Sequence, residues 1–163
     1  MASETSHAVW VLPATGAEFS LFWKNQMIAL GPRPLGDLRE LPAEQESFRT
    51  HALTTFADVS INWLKQYADR CFNFAITVKL GDHIVVATAN ETCFLVGSIA
   101  GEYLFHPPEL APYEHARVVN GLDRVYEHRI GVEIASCFRS VNEFTNLKDN
   151  SRQIREAIER LYR

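Results

Sequence analysis

TCFLVGSIAGEYLFHPPELAPYEHARVVNGL, residues 92–122, is the stretch whose reading decides the fold. Thr92 to Ile99 is rich in β-branched and apolar side chains and reads as a buried strand. Gly97 and Gly101 flank Ser98, Ile99 and Ala100, where the missing side chain lets the backbone bend or another backbone come close. Tyr103 and Phe105 alternate beyond them, before a loop carrying Pro107, Pro108 and Pro112. His115 to Val119 opens a second strand. Two strands therefore frame a loop rich in aromatics and prolines, which suits a flat ligand.

Upstream, His83 to Ala89 is another β-branched run, joined to Thr92–Ile99 through Asn90 and Glu91 as a hairpin. Gly81 and Asp82 form a turn before it. Asn90, Glu91 and Thr92 also match a glycosylation sequon, which reads here as that inter-strand turn. Nearer the start, Val9 to Leu12 is a short strand containing Trp10. Thr15 and Glu18 have the spacing of a capping box, which satisfies the first free N–H groups of a helix running from Glu18 to Gln26. Phe19, Phe22 and Trp23 share one face of that helix. Met27 to Leu30 is a second strand, stopped by Gly31, Pro32, Arg33 and Pro34. Pro42 suits a first helical turn, and apolar positions from Phe48 to Tyr67 keep a helical period with a break near residues 54–57. Val132 to Cys137 reads as a further strand. Residues 150–162 read as a closing helix with Ile154, Ile158 and Leu161 on one face.

This order predicts a mixed α/β domain with a curved sheet or open β-barrel flanked by helices. Residues 1–8 read as a disordered N-terminus and 9–163 as a single domain. A chain of 163 residues is long enough to bury about 68–70% of its unfolded surface. The 47% apolar and 22% charged residues are ordinary for a globular protein. No apolar run reaches a membrane span and the N-terminus lacks a signal-peptide pattern, so a soluble, cytoplasmic protein is expected. The formal net charge of −4 argues against a broad basic face. Cys71, Cys93 and Cys137 are scattered and odd in number, and read as small buried apolar residues. No HExxH, P-loop, GxSxG or Cys–His pattern is present, which argues against a metal, a cofactor and an enzyme; a small enzyme whose site is assembled only in the fold stays as the second alternative, since motif searches do not see such a site.

Several of these runs, in their order, carry a resemblance. They are Trp10 to Ala14 followed by a helix, Ile28 to Gly31, Gly36 to Leu38, Val78 to Val86, Val96 to Tyr103, and His115 to Val119. Together they resemble the PUA-like superfamily, in particular the EVE/YTH-like domains of modification-dependent restriction systems of the McrB and Mrr kind. The resemblance spans about residues 9–122. The chain departs from the pattern at Pro32, where a tryptophan is common. It departs again at Ala116 to Val118, where a basic run is common, and at Gly121.

The resemblance implies recognition rather than catalysis: a methylated or hydroxymethylated base is flipped into a pocket, stacked on aromatic rings and read on its edge. It implies modified double-stranded DNA as partner, with RNA as the alternative, and a nuclease or NTPase subunit or fused domain for the chemistry. The candidate stackers are Trp10, Trp63, Tyr103, Phe105 and Tyr113; Trp10 and Trp63 also fit a core. Asp37 can accept from an exocyclic amino group, or can stabilise its own turn. Arg33, Arg39, His115 and Arg117 are the candidate phosphate contacts, with Arg124 and Arg129 weaker. Each arginine also fits a solvated surface, and His115 also fits a hydrogen bond pinning its strand. The expected pocket lies between the loop after Gly31 and residues 101–113.

Overall fold

Three strands bury both of their faces along their apolar runs. In β1 (Val9–Pro13), Trp10 and Leu12 enter one core while Val9 and Val11 enter a second. In β3 (His83–Ala87), Ile84 and Val86 oppose Val85 and Ala87 in the same way. β4 (Cys93–Phe105) divides Cys93 and Leu95 from Phe94 and Val96. Burial on both faces explains why these runs are continuously apolar rather than alternating. The structure, a computed structural model, describes residues 7–31, 35–89, 91–147 and 151–162. Residues 1–6 of the expected disordered N-terminus, Pro32 to Pro34, Asn90, and the expected start of the last helix at Asn150 lie outside the described residues.

The strands form one mixed sheet in the order β2-β5-β4-β3-β1-β6, where β2 is Met27–Leu30, β5 is His115–Tyr126 and β6 is Thr145–Asn146. Only the β1–β3 pair is parallel among these neighbours. One face is covered by α1 (Gly16–Asn25), α2 (Gln45–Thr55) and α3 (Ile61–Phe72) through Phe19, Phe22, Phe48, Leu64 and Tyr67. The other face meets α5 (Val132–Arg139) and α6 (Ser151–Arg160) through Ala135, Phe138, Ile154 and Ile158. A four-residue helix, α4 (Glu127–Ile130), links β5 to α5. The mixed α/β class and the helix-flanked curved sheet are thus as expected.

Two local readings change. Val132 to Cys137 is helical, not a strand: Gly131 takes φ +103° at its start, and Ala135 and Phe138 fall on one buried face three residues apart. Phe138 meets Phe94 edge-on at 5.3 Å, so a short β-branched run is overridden by packing on the sheet. The helix after the expected 54–57 break starts from Ser60, whose hydroxyl accepts from the Trp63 N–H at 3.1 Å. The strand expected over Thr92–Ile99 runs on through Tyr103 to Phe105 as β4.

Close approach at Gly97 bends the sheet. A Cβ there would stand 2.8 Å from Val119 Cγ1 and 2.9 Å from the Asn120 carbonyl oxygen. The β4–β5 register shifts beside it and again between Ile99 and Tyr103. Such bulges sharpen the local twist and turn the strand pair over the helical face. The Gly81–Asp82 turn is more than a turn. The buried Asp82 carboxylate accepts from the Trp10 indole N–H at 3.0 Å, the Ala8 N–H at 3.1 Å and the Lys79 N–H at 3.0 Å. It thereby ties the start of β1 to the approach to β3.

Candidate functional site

The first turn of α1 and the ends of β1 and β2 bound a cleft of about 380 Å³, which also takes in Arg70, Tyr113, Asn142, Glu143 and Phe144. The capping box sets its chemistry. Glu18 Oε1 accepts the Thr15 N–H at 2.9 Å, and the Thr15 hydroxyl accepts the Glu18 N–H at 3.1 Å. The second oxygen, Oε2, accepts the Tyr113 O–H at 2.9 Å. Burial, and then the Glu18 carboxylate, push the Tyr113 phenol up to about 12, so it stays a hydrogen-bond donor at neutral pH. Gly31 makes room for that ring: a Cβ at Gly31 would stand 3.1 Å from Tyr113 Cε1. Arg70 brings a cation, with Nε 3.3 Å from Glu143 Oε2 and its guanidinium over the Tyr67 and Trp63 rings at 5.8 and 6.0 Å.

A second cleft of about 370 Å³ has a different lining: Arg39, Ala75, Val78, Lys79, Leu80, Glu102, Tyr103 and Arg117. The two share no residue. Tyr113 stands against Gly31 in the first cleft, while Tyr103, Arg39 and Arg117 line the second.

Most of the expected base cage is core. Trp10 is 2% exposed, stacks on Phe144 at 4.9 Å and spends its indole N–H on Asp82. Tyr103 is 5% exposed, its hydroxyl 2.6 Å from His115 Nδ1 and 3.4 Å from the Leu38 N–H. A ring so pinned has no face left for a base. Phe105 is half-buried and packs against the same core. Trp63 stacks on Tyr67 at 5.2 Å, outside both clefts. Asp37 caps the short turn Leu38–Glu40 and holds Arg39 in a two-pronged pair, Nη2 to Oδ2 at 2.7 Å and Nε to Oδ1 at 2.9 Å. The Arg39 hydrogen bond holds the Asp37 carboxyl below its usual range.

The expected phosphate set is also rearranged. His115 is 1% exposed, and burial pushes its imidazole down to about 4, so it is neutral at physiological pH and carries no charge to offer. Arg117 is 3% exposed and donates to the carbonyls of Gly101, Phe74 and Val78. Arg33 lies outside the described residues. Arg124 lies over the exposed Trp23 ring at 4.6 Å, and Arg129 is exposed on α4. Glu18 and Arg70 are the cleft residues that sequence reasoning passed over. The capping-box spacing marks Glu18 in the sequence as a helix cap alone, and nothing local marks Arg70.

Among the described residues no group of three or more His, Cys, Asp or Glu could hold a metal ion, and no helix is long and apolar enough to cross a membrane. Cys71 and Cys93 are buried thiols, and burial pushes Cys71 up to about 12.

No curated protein matches the chain. Among solved structures, the YTH domain of Zygosaccharomyces rouxii MRB1 protein, in complex with N6-methyladenosine RNA, overlaps all of this chain and 91% of its own. The identity is 8% and the TM-score 0.46. A family described as a domain of unknown function, DUF8426, matches residues 17–145, which include Glu18, Gly31, Arg70, Tyr113 and both clefts' main walls. With most of its length matched, the chain belongs to the DUF8426 family.

Proposed function

We propose that this protein reads a modified base in nucleic acid, taking one extruded base into the cleft beside Gly31, and that it targets a modification-dependent restriction system. The observation that supports the reading is the Glu18–Tyr113 hydrogen bond at 2.9 Å in the wall of a cleft of about 380 Å³. Clefts of roughly 300–1,000 Å³ are the usual size for small flat ligands. Glu18 Oε1 accepts from Thr15 and Oε2 from Tyr113, and both oxygens keep lone pairs for an exocyclic amino group. Tyr113 offers ring surface, the Leu30–Gly31 backbone offers a wall without a side chain at Gly31, and Arg70 offers a cation for a phosphate near the base. The edge-reading role expected of Asp37 passes to Glu18, because Asp37 is engaged by Arg39. The chain acts by binding, and a nuclease or NTPase partner supplies the cleavage.

The test is binding to unmodified, 5-methylcytosine, 5-hydroxymethylcytosine and N6-methyladenine oligonucleotides, as DNA and as RNA, at stated salt. Glu18→Gln retains a capping-box residue, so it perturbs the edge while sparing the helix. The expected outcome is a preference for one modified base, with affinity for it that falls about tenfold or more in Glu18→Gln, the scale of one charge-assisted hydrogen bond. Affinity that survives Glu18→Gln and Tyr113→Phe unchanged, or no preference for any modified base, would overturn the reading. Tighter binding to RNA would keep the cleft and change the polymer.

A further inference from the structure

We infer that the Arg117 cleft is a second binding site, one that takes a phosphate-type anion independently of the cleft beside Gly31. Arg117 sits on β5 opposite Tyr103, nearly sealed from solvent. Its Nε donates to the Gly101 carbonyl at 3.1 Å, and Nη1 donates to the carbonyls of Phe74 and Val78, both at 3.0 Å. Phe74 belongs to a π-helical turn, Asn73–Thr77, that continues α3. Such turns are rare and recur at functional sites.

These carbonyls orient the guanidinium but do not cancel its charge. Among the described residues no carboxylate lies within ion-pair distance of Arg117, and its Nη2 donates no hydrogen bond. A buried cation without a paired anion is an expensive arrangement, and a bound anion relieves it. The guanidinium lines the cleft, which also presents Lys79 and Arg39 against a single carboxylate, Glu102. Arg39 is partly committed to Asp37, so Lys79 is the cation at the rim with no ion pair among the described residues. With Arg39 paired to Asp37, Arg117 and Lys79 are the two cations left to face an anion at this opening, against Glu102 alone, in a chain of net charge −4. Arginine's planar fork matches phosphate oxygens, while lysine acts as a mobile point charge. The anion is either a phosphodiester of a bound strand or the phosphate of a small molecule, and the chemistry at the site is the same.

The test titrates inorganic phosphate and pyrophosphate, and in parallel a single-stranded oligonucleotide, into the full chain, followed by NMR shifts and calorimetry. Arg117→Ala also removes three structural hydrogen bonds, so Lys79→Ala and Glu102→Gln, both at exposed positions, carry the test. Saturable phosphate binding is expected, weakened about tenfold by Lys79→Ala and strengthened by Glu102→Gln. If the oligonucleotide binds here too, Lys79→Ala should also flatten its salt dependence, by about 0.7 in the log–log slope for each phosphate that is no longer neutralised. Weakening for the free anions alone would assign a small phosphorylated ligand. Absence of saturable phosphate binding, or binding indifferent to both substitutions, would overturn the site. Neither result depends on Glu18, so this inference and the base-reading proposal fail separately.

Discussion

The Tyr103 hydroxyl lies 2.6 Å from His115 Nδ1, joining β4 to β5 inside the core at two residues that looked like ligand-binding groups in sequence. The Leu38 N–H donates to the same hydroxyl at 3.4 Å. His115 Nε2 is buried without a hydrogen-bond partner. Protonation would add a second proton to a ring already enclosed, with only the Asp37 carboxylate pulling the other way.

Stability should therefore fall with acid. Burial lowers the folded pKa of His115 from 6.5 to about 4, so below 6.5 the unfolded chain binds the proton that the folded chain refuses. The contribution is present above pH 6.5 and lost as the pH falls towards 4. At about 1.4 kcal/mol per pKa unit it amounts to about 3 kcal/mol. Denaturant midpoints measured from pH 7 to pH 4 should show this slope, and His115→Asn should flatten it. Equal slopes in both proteins would show that His115 does not titrate as described.

Tyr103→Phe should destabilise by about 1–3 kcal/mol, because it strands His115 Nδ1 and the Leu38 N–H in the core. Ligand discrimination in the Gly31 cleft should be unchanged, since Tyr103 lines only the second cleft. Urea unfolding paired with the oligonucleotide panel checks both halves.

Asp82→Ala should be among the most damaging single substitutions. It leaves the Trp10 indole N–H and the backbone N–H groups of Ala8 and Lys79 without their acceptor. With each stranded donor costing about 1–3 kcal/mol, a loss above about 3 kcal/mol is expected. Thermal melting followed by tryptophan fluorescence is the measurement, and a loss below about 1 kcal/mol would contradict the role.

Gly97→Ala should also destabilise, by about 1–3 kcal/mol. The new methyl would sit 2.9 Å from the Asn120 carbonyl oxygen and 3.0 Å from Leu122 Cα, both backbone atoms that cannot move aside cheaply. Gly16→Ala is the control, because nothing lies within 4 Å of a Cβ there and the position is helical. Chemical denaturation of the two variants side by side should separate them.

Local chemistry was legible in the sequence. Thr15 and Glu18 form the capping box their spacing implies, the runs at 83–87 and 93–96 are strands, and Gly97 is where another strand comes close. These features depend on neighbours a few residues apart or on a missing side chain, and a one-dimensional reading can see both. The run from Val132 was misread because its β-branched residues say nothing of the sheet face that Ala135 and Phe138 would find. Which aromatic or arginine faces solvent was likewise undecidable. Trp10 and Asp82 are 72 residues apart, Arg117 and Phe74 are 43 apart, and Tyr113 and Glu18 are 95 apart. Each pairing turns on which polar group a buried donor meets once the sheet has curled. A tryptophan and a tyrosine that could each have held a ligand were claimed by the core, while a helix-capping glutamate was left facing the cleft. Burial is a property of the packed chain as a whole, and only the tertiary structure decided it.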